Sequence, residues 1–187
     1  MATIRILVPL AQGCEELEAV TVTDLLTRAE FDVVTAGLDD QPVTASRGIV
    51  LMPKTTMQAI MSEPFDMMVL PGGLPGADHL RDNSLVQQKL TEMAAQDKYI
   101  AAICAAPQAL ASAGLLDHKT VTAYPGVLDG LSITGIKLSQ APVVVDAKLI
   151  TSQGPGTAMD FALKLIELLS GPEKRKQVEA PLMRPAV

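Results

Sequence analysis

Aromatic and basic residues are scarce in this sequence of 187 residues. It has no tryptophan, two tyrosines and three phenylalanines, and its 15 lysines and arginines face 21 acidic residues, giving a formal net charge of −6. Proteins that bind nucleic acids use basic side chains for the phosphates and aromatic rings for the bases. We therefore expect no nucleic-acid partner.

Cysteine and histidine are also rare, and each occurs twice: Cys14, Cys104, His79 and His118. Two cysteines offer no disulfide framework, and no pair of these four residues has the spacing of metal ligands. The sequence therefore predicts no metal site, and each thiol has to be considered by itself.

The sequence shows neither a clear membrane span nor a targeting segment. Its longest uncharged stretch, residues 99–116, has the length of a span, but Pro107 and Gly114 interrupt it. A buried strand that runs into a helix explains this stretch better. The chain starts at Met1 with a strand pattern instead of the basic and apolar regions of a signal peptide. We expect a cytoplasmic protein without a membrane partner.

Apolar residues are plentiful enough to build a core. Hydrophobic residues make up 48% of the sequence and charged residues 19%. This composition excludes disordered, collagen-like and coiled-coil proteins. Because domains typically contain about 100 to 200 residues, we predict a single domain over residues 1–187.

Short runs of valine, isoleucine and leucine recur with little alternation, which is typical of strands buried on both faces. They lie at residues 4–8, 32–36, 67–70, 99–103 and 143–145. Helical patterns separate most of these runs; the first consists of Val22, Leu25, Leu26 and Ala29. The alternation predicts an α/β fold with a mainly parallel sheet and helices on both faces.

Two segments depart from this rhythm. Prolines and a glycine cut residues 41–57 into pieces too short for a crossover helix, so we predict a small antiparallel hairpin or edge excursion. Residues 157–169 are apolar almost all round, which predicts a largely buried helix. Gly171 and Pro172 end this helix, and a short surface helix is predicted over residues 173–179.

Cys104 stands where the strand over residues 99–103 turns into a helix without an intervening loop. This pattern predicts a nucleophile elbow, and the start of a helix lowers the pKa of a thiol. Alternatively, Cys104 is a small buried hydrophobic residue, as most free cysteines are. The strand-cysteine-helix pattern alone leaves both interpretations open.

Glu18 is the second candidate, because it lies on the same helical face as the apolar residues Val22 and Leu25. A carboxyl in that position either bends out to solvent or meets a buried partner and keeps a proton of its own. The neighbouring Glu15 and Glu16 have a simpler explanation, since acidic residues are favoured in the first turn of a helix.

Glycine-rich turns follow two of the predicted strands. The turn within residues 69–76 could bring the N–H of Gly73 close to an anion, as half of an oxyanion hole. It has neither the P-loop nor the dinucleotide-binding spacing. Taken alone, the turn is explained better by a simple requirement for glycine in its backbone conformation, and a tight turn with Thr157 as helix cap explains residues 154–157.

Glu18, Gly73 and Cys104 follow different buried strands at one edge of the predicted sheet, so they can converge. Four motifs in this order resemble the ThiJ/PfpI superfamily, and within it the DJ-1/YajL-like branch. The motifs are EELEAV at 15–20, PGG at 71–73, CAAP at 104–107 and TSQGPGT at 151–157. The similarity runs nearly from end to end.

The resemblance implies a flavodoxin-like three-layer sandwich that needs no cofactor. It implies that Cys104 is the reactive thiol and that Glu18 is its protonated hydrogen-bond partner. It also implies that the N–H groups of Gly73 and Ala105 face the sulfur or an oxyanion.

A twofold homodimer is the expected assembly. The family is usually dimeric, and Met52 and the helix over residues 22–29 carry more apolar surface than one sheet face needs. Arg28 and Arg47 fall where the family has arginines near the site and the dimer interface, so they could hold an anionic group. The alternative is that both are solvated surface arginines.

Tyr124 and Pro155 complete the predicted site as residues that contact a substrate or an anion. Tyr124 stands where part of the family has a histidine. A phenol with a pKa near 10 cannot replace an imidazole base near neutral pH. Glu18 is therefore the only plausible acid or base.

Two functions fit these residues. The first is a cofactor-independent enzyme whose Cys104 thiolate attacks α-oxoaldehydes, as in glyoxalase III, or early glycation adducts, as in a deglycase. The second is a redox-sensing stress protein or holdase chaperone that acts through oxidation of Cys104. A Cys-His protease is not expected, because Ala105 follows Cys104 where the proteolytic branch has a histidine.

Overall fold

The structure is a computed structural model and describes residues 3–184. The elements of the first half are β1 (Arg5–Leu10), α1 (Glu16–Arg28), β2 (Asp32–Gly37), β3 (Val43–Thr44), β4 (Val50–Leu51), β5 (Thr55–Thr56), α2 (Met57–Ile60), β6 (Met67–Leu70), α3 (Gly76–Asp82) and α4 (Ser84–Ala95). The second half contains β7 (Tyr99–Ile103), α5 (Pro107–Ser112), β8 (Thr120–Val121), β9 (Lys137–Leu138), β10 (Val143–Asp146), β11 (Leu149–Ser152) and α6 (Ala158–Glu179).

Seven strands form the central sheet in the order β10-β11-β7-β6-β1-β2-β5. All neighbouring pairs are parallel except β10 and β11, which form an antiparallel hairpin. The predicted flavodoxin-like α/β fold with a mainly parallel sheet is therefore confirmed. In such a sheet the carboxyl ends of the parallel strands share one edge.

Helices cover both faces of the sheet, because its strands have apolar side chains on both sides. Ile6 and Val8 of β1 belong to the core that contains Phe161 of α6, whereas Leu7 belongs to the opposite core with Leu90 of α4. All five side chains are fully buried. The near-continuous apolar runs in the sequence therefore predicted correctly that helices cover these strands on both faces.

The segment over residues 41–57 forms the predicted excursion at the sheet edge. Strands β3 and β4 pair as a small antiparallel hairpin, and β5 then joins the central sheet beside β2. The carboxylate of Glu16 holds the hairpin tip against the start of α1, because it accepts hydrogen bonds from the N–H of Arg47 at 2.9 Å and the hydroxyl of Ser46 at 3.0 Å. This contact gives the buried Glu16 a specific role beyond the expected preference for helix starts.

The last helix breaks where the sequence predicts it to end. Within the span of α6, Gly171 has a φ of 85°, a left-handed conformation that glycine adopts without strain. The short strands β8 and β9 were missed in the sequence, because runs of two residues carry too little periodicity. Strand β11 was missed because the polar Thr151 and Ser152 make up half of it. Among the described residues, no helix combines the length and the apolar character needed to cross a bilayer.

Candidate active site

Four turns at the carboxyl edge of the sheet meet around one sulfur atom. Glu18 lies in the first turn of α1, Gly73 follows β6, Cys104 follows β7 and Gly154 follows β11. The fold therefore brings together Glu18, Gly73 and Cys104, the three residues that the sequence predicts to converge. Gly154, which the sequence analysis assigned only to a tight turn, also borders the site.

Cys104 occupies a nucleophile elbow. It directly follows Ile103, the last residue of β7, and its φ of 62° is unusual for a residue with a side chain. Its N–H donates to the carbonyl of Ser152 at 3.0 Å, and its carbonyl accepts from the N–H of Tyr124 at 2.9 Å. Hydrogen bonds on both sides therefore hold the strained residue in a fixed orientation.

Glu18 is fully buried beside this cysteine. Its Oε2 accepts a hydrogen bond from the N–H of Gly72 at 2.8 Å, and its carboxyl reaches the Cys104 side chain. Oε1 is buried and accepts no hydrogen bond from any of the residues 3–184. Burial raises the pKa of Glu18 to about 7, although the bonds from Gly72 and Cys104 oppose the rise. Glu18 can therefore gain and lose a proton near neutral pH.

The Cys104 thiol is almost as well buried and is 8% exposed. Burial, followed by the negative charge of an ionised Glu18, raises the pKa of the Cys104 thiol to about 12, while the N–H groups of Gly73 and Ala105 lower it. The lowered thiol pKa expected from the helix start is therefore wrong when Glu18 is ionised. When Glu18 keeps its proton, that charge is absent and an O–H donor stands beside the sulfur, which favours the thiolate.

Two consecutive glycines allow Glu18 and Cys104 to approach each other. A Cβ at Gly72 would lie 2.6 Å from Cβ of Cys104 and 2.9 Å from Oε2 of Glu18. Gly73 has a φ of 85° and packs against the backbone of the turn before α1. The role of Gly72 as the donor to Glu18 was missed, although the PGG motif already marked the position.

The other predicted site residues fall into two groups. Tyr124 and Pro155 lie on the turns that flank Cys104 and Gly154, with Tyr124 about half exposed. The exposed Arg28 ends α1, ten residues beyond Glu18, and pairs with Asp24 at 2.7 Å. Because a helix rises about 1.5 Å per residue, Arg28 is far from the sulfur within one chain.

Arg47 is not in contact with the sulfur either. Its side chain is exposed at the hairpin tip, and only its backbone N–H, bound to Glu16, takes part in the contact with α1. Among the described residues there is also no group of three or more histidine, cysteine or acidic side chains that could hold a metal ion. The chemistry available to this site is that of a thiol, a carboxyl and N–H donors.

Replacement of Glu18 by glutamine tests the raised carboxyl pKa through the pH dependence of stability. In the unfolded chain the carboxyl returns to its ordinary pKa of 4.5, so the folded protein binds the proton more tightly. The stabilising effect is complete below pH 4.5 and is lost as the pH rises to about 7, a decrease of about 3 kcal/mol. We expect urea unfolding to show this decrease in the wild type and not in Glu18→Gln; parallel pH profiles would contradict the raised pKa.

Known proteins with similar sequences and structures support the resemblance of the four motifs. Residues 4–168 match the DJ-1/PfpI family. The Parkinson disease protein 7 homolog of Danio rerio is 41% identical over 186 residues, which cover 98% of each chain. The crystal structure of Drosophila melanogaster DJ-1beta has a TM-score of 0.93 and 40% identity, and the match covers 99% of this chain and 100% of that one.

One relative carries a name that states an activity. The Caenorhabditis elegans protein named glutathione-independent glyoxalase DJR-1.2 is 34% identical over 171 residues, which cover 91% of both chains. Like the matches to the two relatives above, this match covers most of both chains. The chain belongs to the DJ-1/PfpI family.

Proposed function

We propose that the protein converts α-oxoaldehydes to hydroxy acids without a cofactor, as part of a defence against reactive carbonyl compounds. The observation that carries this proposal is the contact between Cys104 and a fully buried Glu18 whose pKa is about 7. A carboxyl that titrates near the working pH is well suited to proton transfer. The name of the relative from Caenorhabditis elegans supports the same reaction class.

The reaction starts with transfer of the thiol proton of Cys104 to the carboxylate of Glu18. The Cys104 thiolate attacks the aldehyde carbon of a compound such as methylglyoxal and forms a C–S bond. The N–H groups of Gly73 and Ala105, which face the sulfur, are placed to stabilise the oxyanion that forms on the former aldehyde oxygen. Protonation of this oxygen by Glu18 gives a hemithioacetal.

Glu18 then moves a proton between the two carbons of the bound substrate. It removes the C–H proton of the hemithioacetal carbon and returns it to the neighbouring carbon. The proton of the hemithioacetal hydroxyl passes to the former ketone oxygen, so the ketone becomes a hydroxyl and the first carbon becomes the carbonyl of a thioester. Water hydrolyses the thioester, which releases a hydroxy acid and regenerates the thiol. The overall change is one aldehyde plus one water, so neither an oxidant nor a reductant is needed.

Early glycation adducts are a second substrate class within this proposal, since they derive from the same aldehydes. Attack by Cys104 on the carbon that carries the amine nitrogen would release the amine and give the same thioester after proton transfer. The N–H donors and Glu18 would act as before. Glyoxalase and deglycase activities would therefore share one site and one nucleophile, the thiol of Cys104.

Methylglyoxal turnover in the absence of glutathione tests this enzyme function. We expect lactate from the wild type, none above the blank from Cys104→Ala, and a rate about 10²- to 10⁴-fold lower in Glu18→Gln, because general acid–base catalysis contributes about that much. Cys14→Ala is the matched control, as it removes the other thiol and should keep most of the activity. A wild type that forms no more lactate than Cys104→Ala would contradict the proposal.

A redox-sensing or chaperone role is the second candidate, and the difference between the two thiols favours it. Cys104 is partly accessible and faces two N–H donors, which would also stabilise the oxygens of a sulfinate. Cys14 is fully buried, whereas 8% of Cys104 is exposed, so peroxide reaches the Cys104 sulfur more easily. Oxidation is therefore expected at only one of the two thiols.

Mild peroxide treatment measures this difference directly. We expect peptide mass spectrometry to show the addition of two oxygens to Cys104 well before Cys14 is oxidised. In Glu18→Leu the carboxyl that would stabilise the sulfinate is lost, so the product should shift toward sulfenate or sulfonate. Earlier oxidation of Cys14 would contradict the assignment of Cys104 as the reactive thiol.

We also propose a twofold homodimer through the apolar face that α1 and the β3–β4 hairpin share. Leu17 and Val20 point outward from α1 one turn apart, and Ile49, Val50 and Met52 are exposed beside them, with Met52 71% exposed. The hairpin contact of Glu16 holds the two parts together. In contrast, the side chains of residues 22, 25, 26 and 29, which the sequence analysis also assigned to an interface, pack inside the chain.

Sedimentation equilibrium of a charge variant tests this dimer. We expect the wild type to have about twice the 19.7 kDa of one chain and Val50→Lys to shift toward that single-chain mass, because a buried charge without a partner is strongly unfavourable. Val145→Lys, at an exposed position on β10, is the control and should remain dimeric. A wild type of about 20 kDa at micromolar concentration would contradict the dimer.

A further inference from the structure

A cavity of about 220 Å³ lies beside Tyr124, on the loop between β8 and β9. Asp129, Ser139 and Gln140 are residues of its lining with polar side chains, and Leu128 and Leu138 are apolar ones. The proposed reaction at Cys104 uses none of these five residues. The cavity is smaller than the about 300 to 1,000 Å³ of sites for drug-sized ligands, so it suits a chain of a few atoms.

The residues that line this cavity indicate which kind of ligand it can bind. Its residues include one carboxylate and no lysine, arginine or histidine, so an anionic group would be repelled. A carboxylate, an amide and a hydroxyl can all accept hydrogen bonds from alcohols. The leucines and the Tyr124 ring can contact the C–H groups of the same chain. A short polyhydroxylated chain therefore satisfies both halves of the lining.

Tyr124 and Gly154 connect this cavity with the sulfur. A Cβ at Gly154 would lie 3.5 Å from Cδ2 of Tyr124 and 4.0 Å from Sγ of Cys104. One methyl-sized position therefore separates the tyrosine ring from the nucleophile, and glycine leaves that position open. Tyr124 is also one of the residues that line the cavity.

The backbone keeps Gly154 in place. Its N–H donates to the Thr157 hydroxyl at 3.1 Å, and its carbonyl accepts from the same hydroxyl at 2.9 Å. The φ of Gly154 is 166°, an extended conformation that any residue can adopt. Neither the backbone conformation nor a short contact requires glycine at position 154. The open space between the Tyr124 ring and the Cys104 sulfur is therefore the physical reason for a residue without a side chain.

We propose that the cavity beside Tyr124 binds the hydroxylated chain of sugar-derived α-oxoaldehydes, with Gly154 keeping it continuous with Cys104. This inference rests on the proposed aldehyde chemistry and specifies its substrate class. The aldehyde carbon lies at the sulfur, and the carbon chain passes the position of a Gly154 side chain. Its hydroxyls then donate hydrogen bonds to Asp129 and to the polar groups of Ser139 and Gln140.

Two substrates and three variants test this assignment. The substrates are methylglyoxal, which has no hydroxylated chain, and 3-deoxyglucosone, which has the same reacting group followed by one. We expect the ratio of kcat/KM for 3-deoxyglucosone to that for methylglyoxal to fall at least tenfold in Gly154→Ala, because a methyl group blocks the opening. The same ratio should fall about 10- to 100-fold in Asp129→Asn, as expected for a lost hydrogen bond to a charged group.

Gly156→Ala is the matched control on the same turn. A Cβ at Gly156 would contact no atom of the described residues within 4 Å, so this variant should keep the wild-type ratio. If methylglyoxal is turned over and the ratio is unchanged in both Gly154→Ala and Asp129→Asn, the subsite is wrong while the enzyme function stands. If the wild type converts neither aldehyde, both the function and the subsite are wrong.

Discussion

The close approach of the Glu18 carboxyl to the Cys104 thiol is the constraint on which the site depends. Two acidic groups share a space from which most water is excluded, and Gly72 binds one while making room for the other. Burial raises the pKa of both groups, and the charge of an ionised Glu18 raises that of the Cys104 thiol further, so the pair holds one proton over a wide pH range. The same proximity that disfavours two charges makes transfer of a single proton easy.

The fold supplies the elements that hold this pair together. Glu18 is fixed by α1, whose inner face packs in the core with α6, and Cys104 is fixed by main-chain hydrogen bonds to two other turns. Parallel strands place these turns at one edge without any direct link between them in sequence. The energy that holds the strained cysteine comes from burial of the surrounding strands, most of whose side chains are apolar.

The sequence predicted the fold more completely than the site. Doubly buried strands, the elbow and the hairpin excursion all follow from local patterns in apolar residues, glycine and proline. The electrostatics of Cys104 could not be obtained that way, because the rise of its pKa depends on burial and on Glu18, which is 86 positions away in the chain. The contact of Glu16 with the hairpin and the opening at Gly154 likewise depend on contacts between segments that are far apart in the sequence.

Three consecutive residues at the start of α1 face three different surroundings. Glu16 holds the hairpin tip, Leu17 lies on the exposed apolar face proposed for the dimer, and Glu18 faces the sulfur. Successive side chains on a helix are separated by a rotation of about 100°. Insertion or deletion of one residue between Glu18 and the buried Val22 would therefore rotate all three away from their partners together. Length variation is thus much less tolerable in this turn than single substitutions on its outer face.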